Sequence, residues 1–190
     1  MNQNLFRKEI ESLKAYRETR LRLANKVLTD ASLFVPLLNI CYEFNNEISS
    51  RACWILEFVC HKKLSWLLPH IEEFAANLSK FSFDSAIRPV AKITQMISIS
   101  YVEKKDVEIQ NGVSLKIINE IAEANFDWLI SDQKVAVKAY SMRSLYLLGK
   151  ELDWIHSELI MILKKEYSNH SAAYKAAARD VLKKIEKSSR

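Results

Sequence analysis

Cys53, Trp54, Cys60 and His61 crowd into the stretch RACWILEFVCHKK at 51–63. Two thiolates beside an imidazole are the donor types of a zinc site, and paired thiols are those of a redox centre. The spacing decides between these chemistries and plain packing. On a helix turning about 100° per residue, Cys53 and Cys60 lie on nearly one side, but seven residues at about 1.5 Å separate their backbones by roughly 10 Å. Thiolates sharing one zinc at about 2.3 Å must approach to roughly 4 Å. His61 points about 80 to 100° away from both, towards Trp54 and Glu57. Ala52, Ile55, Leu56 and Val59 surround the cysteines on the wheel, and free cysteine commonly behaves as a small buried hydrophobe. The stretch is therefore predicted to be a packed helix, with no metal.

Other reactive groupings are thin. Glu72 and Glu73 are adjacent, so on a helix they face different directions, poor geometry for paired acid–base work. His70 and His156 each precede a glutamate by two, but H-E-x-x-H does not occur. Serines are common without a recognisable nucleophile motif. Gly112 and Gly149 stand alone, which excludes a glycine-rich phosphate loop. Trp54, Trp66, Trp128 and Trp154 could stack bases in a single-strand binder. Core or inter-repeat packing is the expectation for them.

The elements that must position these residues are helices. Two glycines and three prolines in 190 residues leave few places for tight β-turns, and 49% hydrophobic content is enough to fill a core. The longest uncharged apolar runs, such as SLFVPLLNICY at 32–42, are too short to span a membrane. Residues 1–14 mix both charge signs and do not read as a secretory signal, so a cytoplasmic location is expected. Three cysteines within a short window fit a reducing compartment better than a disulfide framework.

Apolar residues recur at three- and four-residue spacing almost throughout. The breaks predict nine helices, at about 4–29, 32–44, 46–61, 64–79, 84–101, 113–130, 133–149, 152–167 and 170–187. The charged stretch VEKKDVEIQNG at 102–112 reads as the longest loop. The segments ISSRACWILEFV, SAIRPVAKITQM, VAVKAYSMRSLY and AAYKAAARDVLK align with a basic residue fourth, followed by Ala or Pro. Those residues, Arg51, Arg88, Lys138 and Lys175, are separated by 37, 50 and 37 positions. LSWL at 64–67 and LDWI at 152–155 each open the helix after such a segment. Periods of this size signal stacked helical repeats.

The pattern Asp84-Ser-Ala-Ile-Arg88-Pro-Val-Ala, preceded by LSWLLPHIEEFAANL with its Pro69, resembles a HEAT repeat. There an outer helix often carries a proline and the inner helix opens D-x-x-x-R or V-R-x-x-A. Asp132 with Val137-Lys138-Ala139, and Glu47 with Arg51-Ala52, look like weaker copies. The resemblance implies an all-α, α-α superhelix of HEAT or armadillo type, one domain over 1–190. Helix 4–29 would cap it, and the helix pairs would be about 30–62, 64–101, 111–150 and 152–188. The chain also looks like a group of short bacterial proteins that carry the label adenylosuccinate lyase. The lyase signature S-S-x-M-P-x-K has no counterpart, since Ser49-Ser50 is followed by Arg51-Ala52-Cys53 inside a predicted helix.

Repeat architecture implies a binding surface on the inner helices, about 46–61, 84–101, 133–149 and 170–187, and no cofactor. The net charge of +5 is concentrated at the ends: residues 1–30 carry seven Lys/Arg against four Asp/Glu, and residues 161–190 carry eight against three. Equivalent positions in stacked units form a ladder, so Arg51, Arg88, Lys138, Arg143 and Lys175 are the candidate binding residues. Glu47 and Asp84, each four residues before an arginine, make ion-pair bracing the competing role. The expected function is a non-enzymatic scaffold or adaptor binding a protein partner. Nucleic-acid binding resembling that of the HEAT-like alkylpurine glycosylases is the alternative. It requires the cations and a tryptophan to converge on one face.

Overall fold

The computed structural model describes residues 3–188. Eleven α-helices and no strand lie among them. They are α1 (Gln3–Glu11), α2 (Arg17–Thr29), α3 (Phe34–Cys41), α4 (Ile48–Lys62), α5 (Ile71–Ala76), α6 (Asp84–Ser98), α7 (Val107–Gly112), α8 (Leu115–Ile130), α9 (Val135–Leu148), α10 (Asp153–Glu166) and α11 (Ala172–Ser188). The chain divides into two compact units, 1–93 and 94–190, with the boundary inside α6.

Three differences from the sequence reading have local causes. The helix predicted over 4–29 is two helices. Side chains take the carbonyls of the break: Ser12 Oγ donates to Glu9 O, Arg51 to Glu11 O, Thr19 Oγ1 to Lys14 O and Tyr16 O, and Arg20 to Ala15 O. The helix predicted over 64–79 is a 3-10 turn at Leu64–His70, the short α5, and a second 3-10 turn at Leu78–Lys80. Pro69 has no N–H to give an α-helical ladder there. The charged stretch at 102–112 holds α7 instead of a long loop. Asp106 caps it by accepting from the N–H groups of Glu108 and Ile109 at 3.1 and 3.3 Å, and Ile109 is buried. Just before it, the chain leaves α6 through a π turn, Ile99–Glu103, and Lys105 takes a left-handed conformation at φ 50°.

One helix organises each unit. In the first, α4 packs against α1, α2 and α3 and buries Ile48, Ala52, Cys53, Ile55, Leu56, Val59 and Cys60. Burial so far round the wheel is what a helix with neighbours on several sides requires. Cys41, Cys53 and Cys60 are free and buried in this packing, and desolvation pushes the Cys41 and Cys60 thiols well up. In the second unit α9 packs against α8, α10, α11 and the π turn. Its interior includes polar groups with partners: Ser144 Oγ meets Ser98 Oγ at 2.6 Å, and nearby Asn125 donates to Ile121 O at 2.8 Å and to Thr94 Oγ1 at 3.2 Å.

The end of α9 depends on Gly149. The His156 ring lies where a side chain would stand, so an added Cβ would come within 2.8 Å of Cγ and closer still to two other ring atoms. That ring is fixed by its Nε2–H, which donates to Tyr146 O at 2.8 Å, and by stacking on Tyr146. Gly149→Ala should displace His156 and break this bond, lowering unfolding stability by about 1–3 kcal/mol. Urea denaturation checks this, and an unchanged midpoint would contradict it.

Candidate binding face

In an α-helix the Ser85 carbonyl of α6 would accept from the N–H four residues on, but that residue is Pro89. The indole of Trp54 supplies the missing donor from α4, with Nε1–H at 2.8 Å from Ser85 O. Ser85 Oγ also donates to Ser50 Oγ at 2.7 Å. These bonds tie α4 to the first turn of α6.

Trp54 then serves as a platform. The Arg20 guanidinium of α2 lies 4.3 Å from the indole centroid, and the Arg17 guanidinium 5.8 Å from that of Phe58. Such contacts are worth about 0.5–1 kcal/mol at exposed sites, enough to order a long side chain. Arg20 has a shielded Nε–H without a partner among the described residues. Burial lowers its pKa, and the like charge of Arg88 lowers it further against the opposing pull of Glu57.

Glu57 is the carboxylate in this group. It is half-buried, and desolvation raises its pKa even though Arg88, Lys92, Arg20 and Arg17 all favour its charged form. His61 lies 4.0 Å from Glu57, yet burial, Lys92, Lys62 and Arg17 hold its imidazole below the ordinary value. Cations from two helices, Arg17 and Arg20 of α2 and Arg88 and Lys92 of α6, thus gather round Glu57 of α4. Beside them, α2 and α4 enclose a groove of about 350 Å³, with Leu21, Leu28 and Phe58 in its wall and Arg17, His61 and Lys62 among its polar lining. Guanidinium groups held beside an apolar groove can pair carboxylates while an aliphatic side chain is buried.

Of the residues the sequence singled out, Arg88 is exposed and joins this group. Arg51 is half-buried and donates to Glu11 O at 2.7 Å, closing the end of α1. In the second unit Lys138 is 6% exposed, and burial lowers its pKa against the favourable charges of Asp132 and Glu166. Arg143 is exposed and Lys175 half-buried. Arg17, Arg20 and Lys92 were missed by sequence reading. The i,i+3 spacing of Arg17 and Arg20 was visible, but their meeting with α4 is a tertiary contact.

The remaining candidates are engaged in packing. Trp66 meets Phe34 edge-on at 5.8 Å, Trp128 is buried, and Trp154 stacks on Phe126 at 5.6 Å. The His70 ring lies 6.1 Å from that of Phe34, tilted by 43°. Ser49 and Ser50 are buried in α4, with Ser49 Oγ donating to Cys41 O at 2.6 Å.

His61 makes the face sensitive to acid. Its pKa lies below 6.5 in the fold, so the unfolded chain takes up the proton at higher pH. Its contribution to stability is present above that value and is lost as pH falls through the folded pKa. His61→Gln should lose less thermal stability than the wild type between about pH 7.5 and about pH 5. Equal losses in a calorimetric pH series would contradict this.

Among the described residues no three His, Cys, Asp or Glu side chains group as metal ligands, and no helix is long and apolar enough to cross a membrane. No curated protein and no solved structure matches the chain. A family model, that of a HEAT repeat domain, matches residues 12–185. The match covers most of the sequence and agrees with the all-helical architecture and with the proline-bearing α6, and on that basis the chain belongs to the HEAT repeat family.

Proposed function

We propose that this HEAT repeat protein is a non-enzymatic cytoplasmic scaffold or adaptor that holds an acidic protein partner on the α2–α4–α6 face of its first unit. One observation carries the reading: Arg17 and Arg20 of α2 and Arg88 of α6 stand round Glu57, whose charge they do not fully recover from desolvation. Concentrating like charge this way costs stability, and an incoming anionic group relieves it. Of the ladder residues, we assign Arg88 to binding and Arg51 to bracing.

A protein partner is favoured over nucleic acid by the aromatic groups. A base-stacking platform needs an open ring face. Arg20 covers one face of Trp54, whose N–H is also committed, Trp66 meets Phe34 edge-on and Trp128 is buried, while Trp154, 41% exposed and stacked on Phe126, belongs to the second unit and not to this cationic face. The neighbouring groove offers apolar wall, which suits an aliphatic side chain.

The test compares a fluorescent peptide of mixed Asp, Glu and Leu with duplex and single-stranded DNA across a salt titration. The peptide should bind more tightly than either DNA, and Arg20→Glu/Arg88→Glu should weaken it at least about tenfold with helicity unchanged. Tighter binding of DNA with a steep salt dependence would replace this reading with the nucleic-acid one. Peptide affinity indifferent to the double variant would remove the face from consideration.

A further inference from the structure

The second unit contains another interaction surface, in the groove between α10 and α11. Helix α11 buries Tyr174, Ala178, Val181 and Ile185, a stripe at helical spacing, and it packs on both α9 and α10. A separate stripe, Arg179, Leu182, Lys183 and Glu186, repeats at i, i+3, i+4 and i+7. With Lys164 and Tyr167 it lines an open groove of about 660 Å³. Cations stand on both walls, Lys164 on one and Arg179 with Lys183 on the other. Leu182 and the Tyr167 ring, both half-buried, supply apolar surface between them. Met161, one turn before Lys164 on α10, is 58% exposed and extends that surface.

The Arg179 side chain is oriented in advance. Its Nε and Nη2 donate to the Tyr167 hydroxyl at 3.3 and 3.2 Å, which fixes the guanidinium plane and leaves further N–H donors for a ligand. Glu186 lies one turn beyond Lys183, so the groove carries positive charge along most of its length and a negative group at one end.

We propose that this groove receives an amphipathic acidic helix from a protein partner, distinct from the site in the first unit. An apolar stripe on that helix would cover Leu182, Tyr167 and Met161, while carboxylates on its flanks pair with Lys164, Arg179 and Lys183. A basic residue near one end would meet Glu186 and set the direction of docking. Nucleic acid fits less well, because a phosphate backbone has no aliphatic stripe to cover the apolar floor.

The probe is a fluorescein-labelled helical peptide with Leu at i, i+3 and i+7 and Glu on both flanks. One control has its Leu residues replaced by Gln, and a second has its Glu residues replaced by Lys. Anisotropy should show binding of the first peptide only, with amide shifts in α10 and α11. Arg179→Glu/Lys183→Glu should weaken it at least about tenfold, and Tyr167→Phe by a smaller factor with unchanged melting. Arg20→Glu/Arg88→Glu should leave the shifts in α10 and α11 intact. The inference is overturned if the peptide fails to bind, if duplex DNA displaces it at equal concentration, or if the α11 double variant binds as well as the wild type.

Discussion

The candidate face depends on a carbonyl that its own helix cannot satisfy. Pro89 has no N–H to give Ser85 O, the donor its own helix would otherwise supply. Trp54 supplies one from a neighbouring helix. In doing so its indole is held in one plane, and Arg20 rests on it. A proline that weakens α6 internally thereby specifies how α4 and α6 meet, and that meeting sets where Arg20 and Arg88 stand.

Much of the fold was legible because helical periodicity and the scarcity of glycine act locally. The starts of α4, α6, α9 and α10 follow from where apolar spacing resumes, and Cys53 and Cys60 were placed in the core by helix geometry alone. The errors share a cause. The break at residues 12–16 is stabilised by Arg51, Thr19 and Arg20, side chains whose partners are decided by the packed chain. Asp106 had a capping role that its charged surroundings concealed. Among the candidate binding residues, the recurrence of a basic residue after each break was visible, but equal sequence positions did not mean equal environments. Arg88 is exposed, Arg51 closes a helix end, and Lys138 is buried.

Electrostatics and packing answer different questions in this protein. Apolar stripes on α4 and α9 build the two cores, and the family match is a statement about that layer of the structure. The charges add selectivity. A helical-repeat frame can present cations from successive helices without a loop or cofactor, and the aromatic rings beneath Arg17 and Arg20 reduce the entropy lost when those side chains meet a partner. The reading as a scaffold joins this rigidity to the local excess of positive charge.

The most direct measurement is a double-mutant cycle on unfolding free energy with Trp54→Phe and Pro89→Ala. Pro89→Ala restores an N–H that can reach Ser85 O, so removing the indole donor should matter less in that background. The cost of Trp54→Phe should fall by at least about 0.5 kcal/mol when residue 89 is alanine, while the lost ring volume cancels between the two arms. Equal costs in both backgrounds would show that Trp54 does not serve the carbonyl left by Pro89, and would contradict the account of how this face is positioned.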